Sequence, residues 1–245
     1  MQSILLSLGV ILGFGVPICL IVWWNSKHKG SFRPFFTGAV CFVLFAMVLE
    51  QISHSIVLSQ PAVTSSVVGY TLYAAFAAGI FEEAGRLFGF KVMLKKATDR
   101  SCAVAYGIGH GGAEMAIVFG INYLILLLAY SGIDIGGNMS VALVTGAISV
   151  TPAIFAVGLF ERISAMMIHI GLSMIMFAAV RQKGKLWLYP AAICLHALAD
   201  VPAALYQCGV LKSIFLLEAS AFAVGALCLY LGQRVLYGKD GRFDK

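Results

Sequence analysis

Charge is what this sequence has least of. Asp, Glu, Lys and Arg make up 11 % of its 245 residues and hydrophobic residues 60 %, whereas roughly a quarter of a water-soluble domain is charged. No polar stretch is long enough to build a soluble domain, and every connection between apolar runs is short. Any activity is therefore housed in a membrane or at its surface. A basic segment ahead of the first apolar run is also missing, so MQSILLSLGVILGFGVPICLIVWW reads as a retained first span, with Trp23 and Trp24 at the interface, and not as a signal peptide. The cysteines (19, 41, 102, 194, 208, 228) form no CxxC pair and read as small apolar side chains. No internal repeat and no low-complexity stretch is present. A net charge of +6 comes without a basic face, which excludes a nucleic-acid surface.

What is present is a succession of apolar runs of about 20 residues, the length of a bilayer-spanning helix, with a mean hydropathy of +0.93. The expected fold is all-α: a single integral-membrane domain over residues 1–245, a polytopic helix bundle of about seven spans. These are expected near 3–24, 35–58, 67–94, 102–130, 160–180, 186–207 and 211–233. Basic residues punctuate alternate connections: Lys27, Lys29 and Arg33; Lys95, Lys96 and Arg100; Arg181, Lys183 and Lys185; Arg234, Lys239, Arg242 and Lys245. The intervening connections carry only Lys212. The positive-inside rule then puts the N-terminus outside and the C-terminus in the cytoplasm, in a bacterial plasma membrane. Residues 141–158 are apolar too, but a full span there would scatter the basic loops over both faces. They are expected to form an interfacial or re-entrant helix with Pro152 near its start.

Ionisable residues inside hydrocarbon are costly and normally face the bundle interior, so each is a functional candidate. Glu82, Glu83 and Arg86 fall in the third span, His110 and Glu114 in the fourth, His169 in the fifth, and His196 with Asp200 in the sixth. At about 1.5 Å of rise per residue these groups lie near one plane. Residues three and four apart share a helix face, which pairs Arg86 with both glutamates, His110 with Glu114, and His196 with Asp200. Arg162, His169 and Ser173 form one stripe. Structural readings exist as well: EExxR as a buried ion pair, and the histidine–acid pairs as interhelical hydrogen bonds. For Glu50 with His54, near the outer face, and for the isolated Glu218, the structural reading is preferred; Glu161 is read as interfacial.

GIGHGGAE at 107–114 matches GxGxxG, but no βαβ unit surrounds it, which excludes dinucleotide binding. Gly107 and Gly111 instead allow a backbone to approach His110 and Glu114, and an extended substrate is expected beside them. A buried glutamate can act as a general base, histidine can face an oxyanion, and arginine can orient the base. His110, Glu114, His169 and His196 are also the ligand types of a zinc site, although no HExxH motif is present. Between a metal-assisted and a glutamate-activated water the residues do not choose. A proton-coupled transporter, which commonly shows an internal repeat, and a non-catalytic membrane partner or immunity protein are the alternatives.

FEEAGR, GIGHGGAE and CLHALAD, in this order, resemble the YhfC family of intramembrane peptidases, which is grouped with PrsW-like and CAAX-protease/bacteriocin-processing (CPBP) proteases. The resemblance covers about residues 80–202, ERISAMMIHIGLS included. It implies hydrolysis of a peptide bond in a membrane-embedded or membrane-associated substrate. Glu82 and Glu83 supply the water-activating carboxylate, Arg86 assists, Glu114 matches a second-motif acid, and His196 stabilises the oxyanion or binds the water. The CAAX group has EExxxR, a second-motif histidine and HxxxN, where this chain has EExxR, HxxxE and HxxxD. Those departures weigh against prenyl-protein substrates, and His169 is an added candidate for a metal.

Overall fold

A computed structural model describes residues 1–134 and 139–238. The described residues form helices and no strand. The long helices are α1 (Gln2–Lys27), α2 (Phe32–Val57), α3 (Val67–Phe88, continued by a wide turn over Gly89–Met93) and α4 (Ser101–Tyr130). After the short α5 (Met139–Ser149) come α6 (Pro152–Arg181), α7 (Leu188–Gln207) and α8 (Ile214–Tyr237). Six of these, all but α3 and α5, are long and apolar enough to cross a bilayer. α3 has the length, but Glu82, Glu83 and Arg86 dilute its apolar character, and it packs against α2, α6 and α7. Many apolar side chains, such as Ile11, Phe36, Val68 and Phe215, point outward, as lipid-facing positions do.

Three elements differ in their bounds from expectation. The fifth span begins at Pro152 and not near 160, because Thr151 accepts a hydrogen bond from the Ile154 N–H (3.2 Å) and Pro152 takes the first helical position, which needs no N–H donor. The expected interfacial helix shrinks to α5, whose 11 residues span about 16 Å, too short to cross. Its end is tied to the start of α1 by Gln2, whose amide donates to the carbonyls of Ala147 and Val150 (2.8 Å for the latter). The last span likewise shifts to Ile214–Tyr237, capped by Ser213, which accepts from the Leu216 N–H (3.3 Å). Lys239, Arg242 and Lys245 lie outside the described residues.

The apolar core sits toward the end carrying the basic connections, where Phe90, Tyr106, Leu172, Phe177, Leu188 and Leu236 pack together. Arg181 closes that end by donating to the carbonyls of Phe90 (2.9 Å), Leu94 (2.6 Å) and Ala97 (2.7 Å), groups that the termination of α3 leaves without helical partners. The glycines of α4 bring helices close at mid-bundle. A Cβ on Gly107 would stand 2.6 Å from Ile170 Cα and 3.0 Å from the His169 carbonyl; one on Gly111 would stand 3.0 Å from the His169 ring. Gly109 and Gly112 are filled in the same way by Phe35 and Pro17. These positions are occupied by helices, so the substrate expected along them has no room. Gly107→Val is expected to force α4 and α6 apart and lower stability by about 1–3 kcal/mol, read by unfolding in detergent; an unchanged midpoint would contradict the contact.

Candidate active site

Four helices, α3, α4, α6 and α7, deliver the titratable groups to one place. The centre is the Glu82 carboxylate. Its Oε2 lies 2.9 Å from His110 Nε2, 3.7 Å from His169 Nδ1, 3.7 Å from an Arg86 Nη2 and 3.8 Å from His196 Nε2. Glu82, His110 and His169 are buried, and their donor atoms all lie within 4.8 Å of one another.

A second layer of ion pairs sets the imidazole tautomers. Arg86 donates to His169 Nδ1, and a guanidinium has no acceptor. The ring proton of His169 is therefore on Nε2, which donates to Glu114. Glu114 is held in turn by Arg162, which also pairs with Glu161. On the opposite side His196 Nδ1 donates to Glu83 Oε1 (2.9 Å), leaving Nε2 turned toward Glu82. Glu83 also pairs with Arg86, and both are fully buried. His110 Nδ1 is buried with no hydrogen-bond partner.

Glu82, Glu114, His169 and His196 line one cavity of about 140 Å³ between α3, α4, α6, α7 and α8. Its apolar wall is mostly alanine (Ala78, Ala165, Ala199 and Ala203 among them), with Ile168 and Leu217. Neither His110 nor Glu83 lines it; they sit behind Glu82. The structure thus separates two adjacent glutamates that the sequence left equivalent: Glu82 reaches the cavity and Glu83 does not. Arg162, Glu161, Asp200 and Glu218 also line it. The stripe joining Arg162 to His169 was a signal for the first of these, whereas Glu161, read as interfacial, and Glu218, read as structural, gave none. Glu50 and His54 lie outside it, 3.3 Å apart, with Tyr73 on the imidazole (2.9 Å).

A model described as the YhfC intramembrane metalloprotease matches residues 11–221. The chain belongs to the YhfC family. A relative from Bacillus subtilis (strain 168), described as an uncharacterized membrane protein YhfC, is 33 % identical over 243 residues, covering 93 % of each chain. No solved structure matches.

The family description implies a metal, and the residues fit one. Tetrahedral zinc at about 2.05 Å from its ligands separates them by about 3.3 Å, and the spacings of Glu82 Oε2 from His110 and His169, 2.9 and 3.7 Å, bracket that value. Histidines that bind metals commonly donate their other N–H to a carboxylate, as His169 does to Glu114. Arg86 is the competing feature, since it holds the His169 lone pair that a cation would need.

Proposed function

We propose that the protein is an intramembrane peptidase whose centre is Glu82 with His110, His169 and His196. The observation that carries this reading is the convergence of three imidazoles on one carboxylate at the floor of a polar cavity inside an apolar bundle. Glu82, His110 and His169 would hold a divalent cation, zinc by donor type, which when bound supplies Lewis-acid chemistry that polarises a carbonyl and acidifies water. Glu82 accepts the proton of the attacking water. His196, its Nδ1–H held by Glu83, turns Nε2 to the cavity, where as an imidazolium it donates to the developing oxyanion. Glu114 and Glu83 hold the tautomers of His169 and His196, Arg86 and Arg162 hold those carboxylates, and the alanine walls admit an extended peptide. Such a substrate must be unwound, since an intact helix hides its carbonyls in hydrogen bonds. Under the positive-inside rule the cavity, which lies away from the basic connections, faces the outer side of a bacterial plasma membrane.

The test is cleavage of a membrane-embedded reporter peptide by purified protein in vesicles. Activity lost to a chelator and restored by zinc is the expected result. Indifference to the chelator would leave the glutamate as sole activator of water. No cleavage, with Glu82→Gln indistinguishable from wild type in cells, would replace the peptidase reading by a transporter or a non-catalytic partner.

A further inference from the structure

The mouth of the cavity carries more negative charge than its neighbours answer. Glu82 faces the imidazoles and Arg86, while Glu114 and Glu161 share Arg162. Asp200 has His196 Nε2 at 3.7 Å, but its Oδ2 has no hydrogen-bond partner. Glu218 is the sharper case: it is 7 % exposed, it forms part of the cavity wall, and its Oε2 is buried without a partner. A carboxylate this buried is unfavourable unless a cation answers it.

Glu218 also stands in the wall of a second space, a groove of about 530 Å³ between α6 and α8, lined by Val157, Phe160, Phe215 and Phe222. The rings of Phe160 and Phe222 stack with centroids 5.4 Å apart. One unpartnered carboxylate therefore joins the polar cavity to an apolar, outward-facing channel. A bare metal ion gains nothing from that apolar wall, whereas a lysine or arginine side chain lays an alkyl stem along it and delivers its charged head to the acids.

We propose that Asp200 and Glu218 form an acidic subsite that binds a lysine or arginine side chain of a membrane-embedded peptide entering between α6 and α8. The inference rests on the peptidase reading for the nature of the ligand. It is tested by binding, so that it can fail separately. Full-length Glu82→Gln protein in phosphatidylcholine nanodiscs is titrated with a fluorescent leucine–alanine host peptide bearing one lysine, its uncharged isostere norleucine, or glutamate, placed one to two turns from the end that meets the non-basic face. The lysine peptide is expected to bind about tenfold more tightly than the norleucine peptide. Adding Glu218→Gln or Asp200→Asn should erode that preference, and Glu218→Lys should turn it toward the glutamate peptide. Equal affinity for lysine and norleucine, or a lysine preference that survives both Glu218→Lys and Asp200→Asn, overturns the subsite. Lysine preference without hydrolysis by the wild type would retain the subsite and remove the peptidase reading; hydrolysis without lysine preference would do the reverse.

Discussion

Glu82→Gln is expected to give a folded, membrane-inserted protein whose peptidase rate falls at least about a hundredfold, the typical loss when a general base is removed. The carboxamide keeps the shape of the side chain but cannot take a proton, and its oxygen is a weaker partner for the three imidazoles around Oε2. Glu83→Gln should act differently. Glu83 lies behind the cavity and touches Arg86 and His196, so its replacement perturbs the tautomer of His196 and the charge balance without removing a group from the cavity. The two variants are to be compared in one vesicle assay. A Glu82→Gln enzyme with wild-type rate beside a dead Glu83→Gln enzyme would reverse the assignment.

The largest expected effect on stability comes from the same motif. Glu83→Ala leaves Arg86, fully buried, without its closest counter-charge, and breaking one partner of a buried pair costs about 3–5 kcal/mol. Glu82 remains 3.7 Å from the guanidinium, so part of the charge is still answered. The double variant Glu83→Ala, Arg86→Met should recover much of the loss, because an apolar pair avoids the desolvation of both ions. Unfolding in detergent micelles measures both. A single variant within about 1 kcal/mol of wild type would mean that Glu83 is not the counter-ion that keeps Arg86 in place.

Depth and order were legible in the sequence, and rotation was not. Glu82, His110, His169 and His196 fall near one plane simply from the spacing of apolar runs, and the structure brings them within reach of one carboxylate oxygen. Neighbouring residues on a helix differ by about 100° in direction, however, and α3 meets other helices on several sides. Which of Glu82 and Glu83 faces the cavity therefore depended on packing that no period in the sequence records. The glycines were half legible for a related reason: the approach of another backbone was expected and found, whereas the substrate expected there has no room. A small residue looks the same whether it admits a substrate or a neighbouring helix, and Gly107 and Gly111 admit α6. Pro152 after Thr151 was a readable helix start, but the apolar run continues through it, and its continuity hid the break between α5 and α6. The pairing of Arg162 with Glu114 crosses from α6 to α4, 48 residues apart, beyond what i,i+4 spacing can show.

The most direct test of the centre is metal content. Purified protein is stripped with a chelator, re-equilibrated with zinc, separated from free ion and measured by elemental analysis. About one tightly held zinc per chain is expected, with affinity lowered at least tenfold in His110→Ala, His169→Ala and Glu82→Gln, and little changed in His54→Ala, whose imidazole lies outside the cavity against Tyr73. A wild-type protein that retains no zinc above background, or His110→Ala and His169→Ala variants that hold it as tightly as wild type, would contradict a metal centre built on these residues.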